Sequence, residues 1–181
     1  MGAYGETESS SKTEPRIVLM VGLPGSGKST WLARQGIHPL SSDALRLLLF
    51  DDENNQSNHR AVFATLRSLL RRRLELRRPV TYVDATHLSI RERRPYLMMG
   101  ELYGASVEVL WFDEDYSLSL ARNRARQRVV PTEIMEHMRD RMQPPMLAEG
   151  YSRITIIRNG QIWRVLPEAL GQDPQREGQQ Q

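Results

Sequence analysis

Apolar runs alternate along the chain with stretches whose apolar positions recur every three or four residues. Arg16–Val21 is a short apolar run ending at Gly22, which reads as a buried parallel strand. Ser29–Arg34 then starts a helix. Leu40, Ser41, Ser42 and Asp43 precede the apolar-rich stretch Ala44–Phe50, with Ser41 or Ser42 as its N-cap and Asp43 in its first turn. The polar segment 51–58 predicts a loop or a helix lead-in. His59–Arg77 reads as one long helix. Its apolar residues Val62, Phe63, Leu66, Leu69, Leu70 and Leu74 keep the 3–4 spacing, and Arg67, Arg71, Arg72, Arg73 and Arg77 occupy the rest.

The second half repeats the alternation. Pro79–Asp84 is a strand that ends in a carboxylate. Ser89 and Glu92 predict a capping box for a helix to about Tyr103. Ser106–Phe112 is a third strand. Ser117–Gln127 is helical, and Pro131 opens another helix, to about Met142, as its first-turn residue. Arg153–Ile157 and Gln161–Val165 flank Asn159-Gly160, a hairpin with a tight turn. Strands alternating with helices predict an α/β domain with a mainly parallel sheet flanked by helices. The apolar residues of the amphipathic helices are accounted for by one core, so no surplus face demands a partner. Residues 1–15 and 167–181 lack periodicity and read as flexible ends, which leaves 16–166 as the folded domain.

Composition narrows the chemistry. The chain has 181 residues and no cysteine, which excludes disulfides, thiolate catalysis and Cys-ligated metals. No apolar run reaches the ~20 residues that span a membrane, and no secretion signal is visible, so a cytoplasmic enzyme without membrane contact is expected. The net charge is only +3, yet of 25 basic residues all but Lys12 and Lys28 are arginine. Arginine's planar fork suits phosphate, although a general Lys-to-Arg bias gives the same count. With lysine so rare, Lys28 within a glycine-rich loop stands out.

That loop carries the strongest signal. Gly22, Leu23, Pro24, Gly25, Ser26, Gly27, Lys28 and Ser29 match G-x-x-x-x-G-K-S in full, between a strand and a helix. Gly25 and Gly27 let backbone N–H groups converge on phosphates. The helix adds its N-terminal donors. Lys28 reaches the β- and γ-phosphates, Ser29 holds Mg²⁺ through its hydroxyl, and Thr30 adds a phosphate hydrogen bond. The expected fold is therefore P-loop NTPase-like, with ATP and Mg²⁺ as cofactors. No Asn-Lys-x-Asp run follows, which argues against an ordinary GTPase.

Two acids and a set of arginines complete the candidates. Asp43 begins a helix beside the loop, where a carboxylate can take a proton from an attacking hydroxyl. Arg46 shares its face, three residues on. Asp84 ends its strand, where it can orient a metal-bound water or a nearby basic group. Each acid also fits a simple capping or turn role. Arg122, Arg124, Arg126 and Arg128 recur at two-residue steps. On a continuous helix, Arg122 and Arg126 share one face and Arg124 and Arg128 another. The first pair can embrace the donor phosphates as part of a helical lid at about 118–142. A solvated basic face is the plainer alternative. His59 and His137 read as surface or local hydrogen-bonding residues.

Together these residues resemble the 5′-OH polynucleotide kinases, the kinase domain of bacterial and phage end-healing enzymes. The match is carried by 22–30, by Ser41-Ser42-Asp43 with Arg46, and by Asp51-Asp52-Glu53-Asn54. It continues through Val83-Asp84-Ala85-Thr86, Arg122-Asn123 with Arg126, Val130-Pro131, and Leu147 with Glu149-Gly150. The resemblance implies transfer of the ATP γ-phosphate to the 5′-hydroxyl end of DNA or RNA. It implies Asp43 as general base, Arg46 on the acceptor's 3′ phosphate, Arg122 and Arg126 clamping the donor, and Asp84 in support. The acid run 51–54 is placed near the acceptor. One departure is His87, where the family often carries asparagine. A small-molecule or nucleotide kinase on the same scaffold, including one acting on a sugar nucleotide, remains an alternative. So does an ATP-hydrolysing switch or binding module. Oligomeric state is not legible.

Overall fold

A computed structural model describes residues 14–53, 55, 57–126 and 128–167. The flexible ends expected at 1–15 and 167–181 fall almost wholly outside the described residues. The elements run β1 (Arg16–Val21), α1 (Lys28–Arg34), β2 (Leu40–Ser41), α2 (Ser42–Phe50), α3 (His59–Glu75), β3 (Val80–Asp84) and α4 (Ile90–Tyr103). After these come β4 (Ser106–Phe112), α5 (Tyr116–Arg124), α6 (Thr132–Asp140), a 3-10 turn (Leu147–Glu149), β5 (Arg153–Arg158) and β6 (Gln161–Leu166).

The six strands form one sheet in the order β2-β3-β1-β4-β5-β6. The first five are parallel and β6 is antiparallel, so the sheet is mainly parallel, as expected. β1 is covered on both faces, which is why its sequence is an unbroken apolar run. Ile17, Leu19 and Val21 pack with Val62, Leu66, Leu70 and Leu74 of α3 and Tyr96 of α4. On the other face Val18 and Met20 meet Leu32 of α1, Leu110 and Phe112 of β4, and Ile157 of β5. A third cluster joins Leu23, Leu88 and Met135 and seats α6 beside the loop after β1. No helix among the described residues is long and apolar enough to cross a membrane.

Several boundaries differ from the sequence expectation, each for a local reason. β2 has two residues, too short to leave a pattern. α3 stops at Glu75, before Arg77. Arg77 takes a left-handed φ of 50°, and the Arg77 and Arg78 N–H groups close back on the Leu74 and Arg73 carbonyls. The Ser89–Glu92 box is half formed. Ser89 accepts from the Glu92 N–H, but the Glu92 carboxylate takes the Leu88 N–H instead of that of Ser89. Pro131 is the N-cap of α6, one position before its first turn. α5 ends at Arg124, three residues early. The Asn159-Gly160 hairpin forms as expected, with φ of 51° and 73°. Nor does one core absorb every apolar residue: Leu48, Leu76 and Leu102 are each about three-quarters exposed.

Candidate active site

The topology places the chemistry. β1 pairs with β3 on one side and β4 on the other, so the loop after β1 opens where the chain's direction of winding reverses, at the carboxyl ends of the strands. In register, Asp84 lies between Met20 of β1 and Ser41 of β2. Ser41 caps α2 by accepting from the Ala44 N–H, which sets Asp43 in its first turn. Parallel pairing therefore gathers the loop, Asp43 and Asp84 at one edge, although they are distant in sequence.

Within the loop, Gly22, Gly25 and Gly27 have φ of 149°, 79° and 96°. Two of these glycines serve separate ends. A Cβ at Gly25 would overlap the Ser119 carbonyl oxygen of α5, whereas the space beside Gly27 is open. The loop thus packs tightly on α5 and stays uncovered where α1 begins. The Lys28 ammonium turns back to donate to the carbonyls of Gly22 at 2.7 Å and Leu23 at 2.8 Å. Burial lowers its pKa to about 8, with Asp84 opposing and Arg126 adding to the shift. Ser26 is buried, while Ser29 and Thr30 present exposed hydroxyls at the start of α1. An ammonium, open backbone and two hydroxyls are a donor set that fits a chain of phosphates. Asp84 is within electrostatic reach of Lys28, the neighbour of Ser29 in sequence, and oxygen groups of this kind would suit Mg²⁺, which keeps most of its ligands as water. Asp84's pKa is raised by burial, against the pull of Lys28, with Asp43 raising it further.

Asp43 is held by two guanidinium groups. Arg46 of α2 reaches its Oδ1 at 2.7 Å and Arg128 reaches the same oxygen at 3.1 Å. Arg46 is buried beneath Asp43, and its Nη2 donates to His59 Nδ1 at 3.5 Å. The His59 pKa is lowered by burial and by that neighbouring charge. Asp43, Glu53, Arg126 and Arg128 line a cleft of about 300 Å³. A larger concavity of about 390 Å³, around Leu74, Arg77 and Tyr103, lies at the opposite end of the strands and shares none of these groups.

The arginines do not sit on one helical face. Because α5 ends at Arg124, Arg126 and Arg128 leave the helix, and four-residue spacing no longer relates Arg122 to Arg126. Arg122 pairs with the buried Glu114 at 3.4 Å, beside the β5–β6 turn. Arg126 acts electrostatically on both Lys28 and Asp84. Just inside the end of α5 lies Asn123, fully buried, whose side chain hydrogen-bonds both the N–H and the carbonyl of Val130. Sequence reasoning missed Arg128's part because it counted along a helix that does not continue.

Two further buried groups brace the site. Arg93 is fully enclosed and pairs with Glu149 at 2.8 Å. It also donates to Tyr151 and to the carbonyls of His87, Leu88 and Gln143, tying α4 to the chain after α6. His87, at φ 46°, donates from Nδ1 to the Met20 carbonyl at 2.8 Å and so ties the end of β1 to the segment after β3. Its pKa falls to about 4, mainly through burial. Neither pattern is visible in the sequence, since a buried arginine and an exposed one look alike there.

A family profile for an AAA domain matches residues 17–145, well over half of the chain. The chain belongs to that family. No curated protein matches it. Among solved structures, this AAA domain is similar to the PezAT chromosomal toxin–antitoxin system of Streptococcus pneumoniae. That match has a TM-score of 0.64 and 15% identity, over 91% of this chain and 76% of the other. It is also similar to a chain of the Pnkp1/Rnl/Hen1 RNA repair complex, at TM-score 0.61 and 24% identity, over 75% of this chain but only 46% of that one. A gluconokinase from Sinorhizobium meliloti 1021 gives TM-score 0.54 and 18% identity, over 81% and 84% of the two chains. At these identities the shared property is the fold: a P-loop NTPase-like, mainly parallel α/β sheet flanked by helices, with a helical lid.

Proposed function

We propose that this AAA domain is an ATP- and Mg²⁺-dependent kinase that phosphorylates the 5′-hydroxyl ends of DNA or RNA. The observation that carries the reading is Asp43, a carboxylate on a cleft wall within electrostatic reach of Lys28 of the phosphate loop and held by Arg46 and Arg128. The similarity in fold to a chain of an RNA repair complex supports it.

In this reading Lys28, the loop N–H groups and Thr30 hold the donor phosphates, and Ser29 with Asp84 serves Mg²⁺. When bound, the metal neutralises charge on the β- and γ-phosphates. Asp43 accepts the proton of the acceptor 5′-hydroxyl as that oxygen bonds to the γ-phosphorus and the bond to ADP breaks. Arg126, near Lys28, offsets the charge of the transferring group, and Arg122 joins it from the base of the lid. Arg46 stands on the acceptor side and holds Asp43. Closure of the α5–α6 segment over the loop excludes the water that competes with the hydroxyl.

The test is transfer from γ-labelled ATP with Mg²⁺ to a 5′-OH oligonucleotide, with nucleosides, nucleotides and sugars as controls. Label on the oligonucleotide, lost by at least about 100-fold in Asp43→Asn while ATP binding persists, is expected. ATP consumption indifferent to the oligonucleotide would sink the proposal. The cleft's modest volume favours a second reading, a kinase for a small acceptor, and label on a control alone would select it.

A further inference from the structure

Arg46 and Arg128 meet the same oxygen of Asp43, but from different surroundings. The Arg46 side chain is 6% exposed and that of Arg128 is 21% exposed. Arg46 spends one amino group on Asp43 and the other on His59, and its Nε is enclosed without a partner. It therefore has little to present to a ligand in the cleft. Arg128 stands on the cleft wall with Asp43, Glu53 and Arg126. Among the described residues Asp43 is its ionic partner, which leaves most of a five-donor fork facing the cleft. Such a fork matches a phosphate in charge and in geometry.

The two arginines of the loop also divide by position. Arg126 acts on Lys28 and Asp84, on the donor side, while Arg128 acts on Asp43. Their spacing of two residues on a non-helical loop allows this division, because the loop is closed at its base by Asn123 and Val130.

We infer that Arg128 is an acceptor-recognition residue whose guanidinium binds the phosphate on the 3′ side of the accepting nucleotide, while Arg46 orients Asp43 from beneath. The inference rests on the polynucleotide-kinase reading. It carries a gating consequence. Asp43 Oδ1 accepts from Arg46 and is ion-paired with Arg128 at 3.1 Å, and an acceptor phosphate that draws Arg128 away removes one of the two cations that stabilise the ionised carboxylate and so raises its basicity. Asp43 then hydrogen-bonds the incoming hydroxyl. An acceptor without that phosphate, water included, leaves Arg128 on the carboxylate. The site thereby selects polynucleotide ends over bare hydroxyl compounds.

The experiment measures kcat/KM for a nucleoside 3′-monophosphate and for the same bare nucleoside, in the wild type and in Arg128→Ala. The expected result is a fall of at least about tenfold in the ratio of the two values, read mainly in the acceptor KM, with the ATP KM within about twofold of wild type. Arg128→Lys is expected to restore part of the ratio, since it keeps the charge and loses the fork. An unchanged ratio overturns the inference, whether or not the ATP KM moves, because a structural or donor-side role weakens both acceptors alike. Wild-type protein that transfers to no 5′-hydroxyl acceptor overturns the functional reading itself, and that outcome is distinct from an unchanged ratio in an active enzyme.

Discussion

Asn123 closes the arginine loop on itself. Its amide donates to the Val130 carbonyl at 2.7 Å, and its side-chain oxygen accepts from the Val130 N–H at 3.1 Å. Both helices that flank this loop dock on the loop after β1, α5 against Gly25 and α6 through Met135 on Leu23 and Leu88, and Leu120 of α5 packs on that same cluster. Asn123 thus joins the end of α5 to the residue before Pro131.

Removing that closure has a direct readout. Asn123→Ala leaves the Val130 N–H and carbonyl without their partner, at a cost of about 2–4 kcal/mol. The loop carries Arg126 and Arg128, so trypsin is expected to cleave there at least about tenfold faster, with transfer activity falling in parallel. Unchanged cleavage at 124–130 in the folded variant would show that the loop is held by something else.

Donor binding should depend on pH through Lys28. Burial brings its pKa down to about 8, so the ammonium is charged below that value and is lost as pH rises through it. Bound phosphates favour the charged form. ATP affinity should therefore fall above about pH 8, approaching tenfold per pH unit, and binding in that range should take up a proton. Calorimetry in buffers of different ionisation enthalpy detects the uptake. Affinity that stays flat to pH 9.5 would contradict the role of this ammonium.

His87 predicts an acid sensitivity of the fold. Its folded pKa of about 4 lies below the ordinary 6.5, chiefly because burial disfavours the imidazolium. Between these values the unfolded chain binds a proton that the folded chain does not. The stability is full above pH 6.5 and is lost as pH falls toward 4, at up to about 1.4 kcal/mol per pH unit. Asparagine tolerates the positive φ of 46° and offers an amide to the Met20 carbonyl. His87→Asn should therefore fold with near-wild-type stability at pH 7.5 and lose less stability on acidification. Parallel denaturation curves at pH 7.5 and 5 decide it, and an equal acid loss in both proteins would acquit His87.

Much of this organisation is legible without coordinates. Continuous burial gives β1 an unbroken apolar run, a capping serine marks the start of α2, and paired left-handed residues mark the β5–β6 turn. The phosphate loop is readable because a narrow backbone geometry demands glycine at fixed positions, with lysine and serine directly after them. The candidate acids Asp43 and Asp84 are readable because each sits at an element boundary, where ligands meet such sheets.

The tertiary structure decided what local pattern could not. The sequence by itself determined the strand-loop-helix unit that presents Lys28, because those constraints act within a few residues. It could not determine that Asp84 lies between Met20 and Ser41, since parallel register is set by packing across the sheet. Nor could helical spacing foresee that Asn123 would bind Val130 or that α5 would end at Arg124. With α5 ended at Arg124, Arg126 lies off the face of Arg122 and Arg128 meets Asp43. The partnership at the base was therefore settled by the fold and not by the spacing of the arginines.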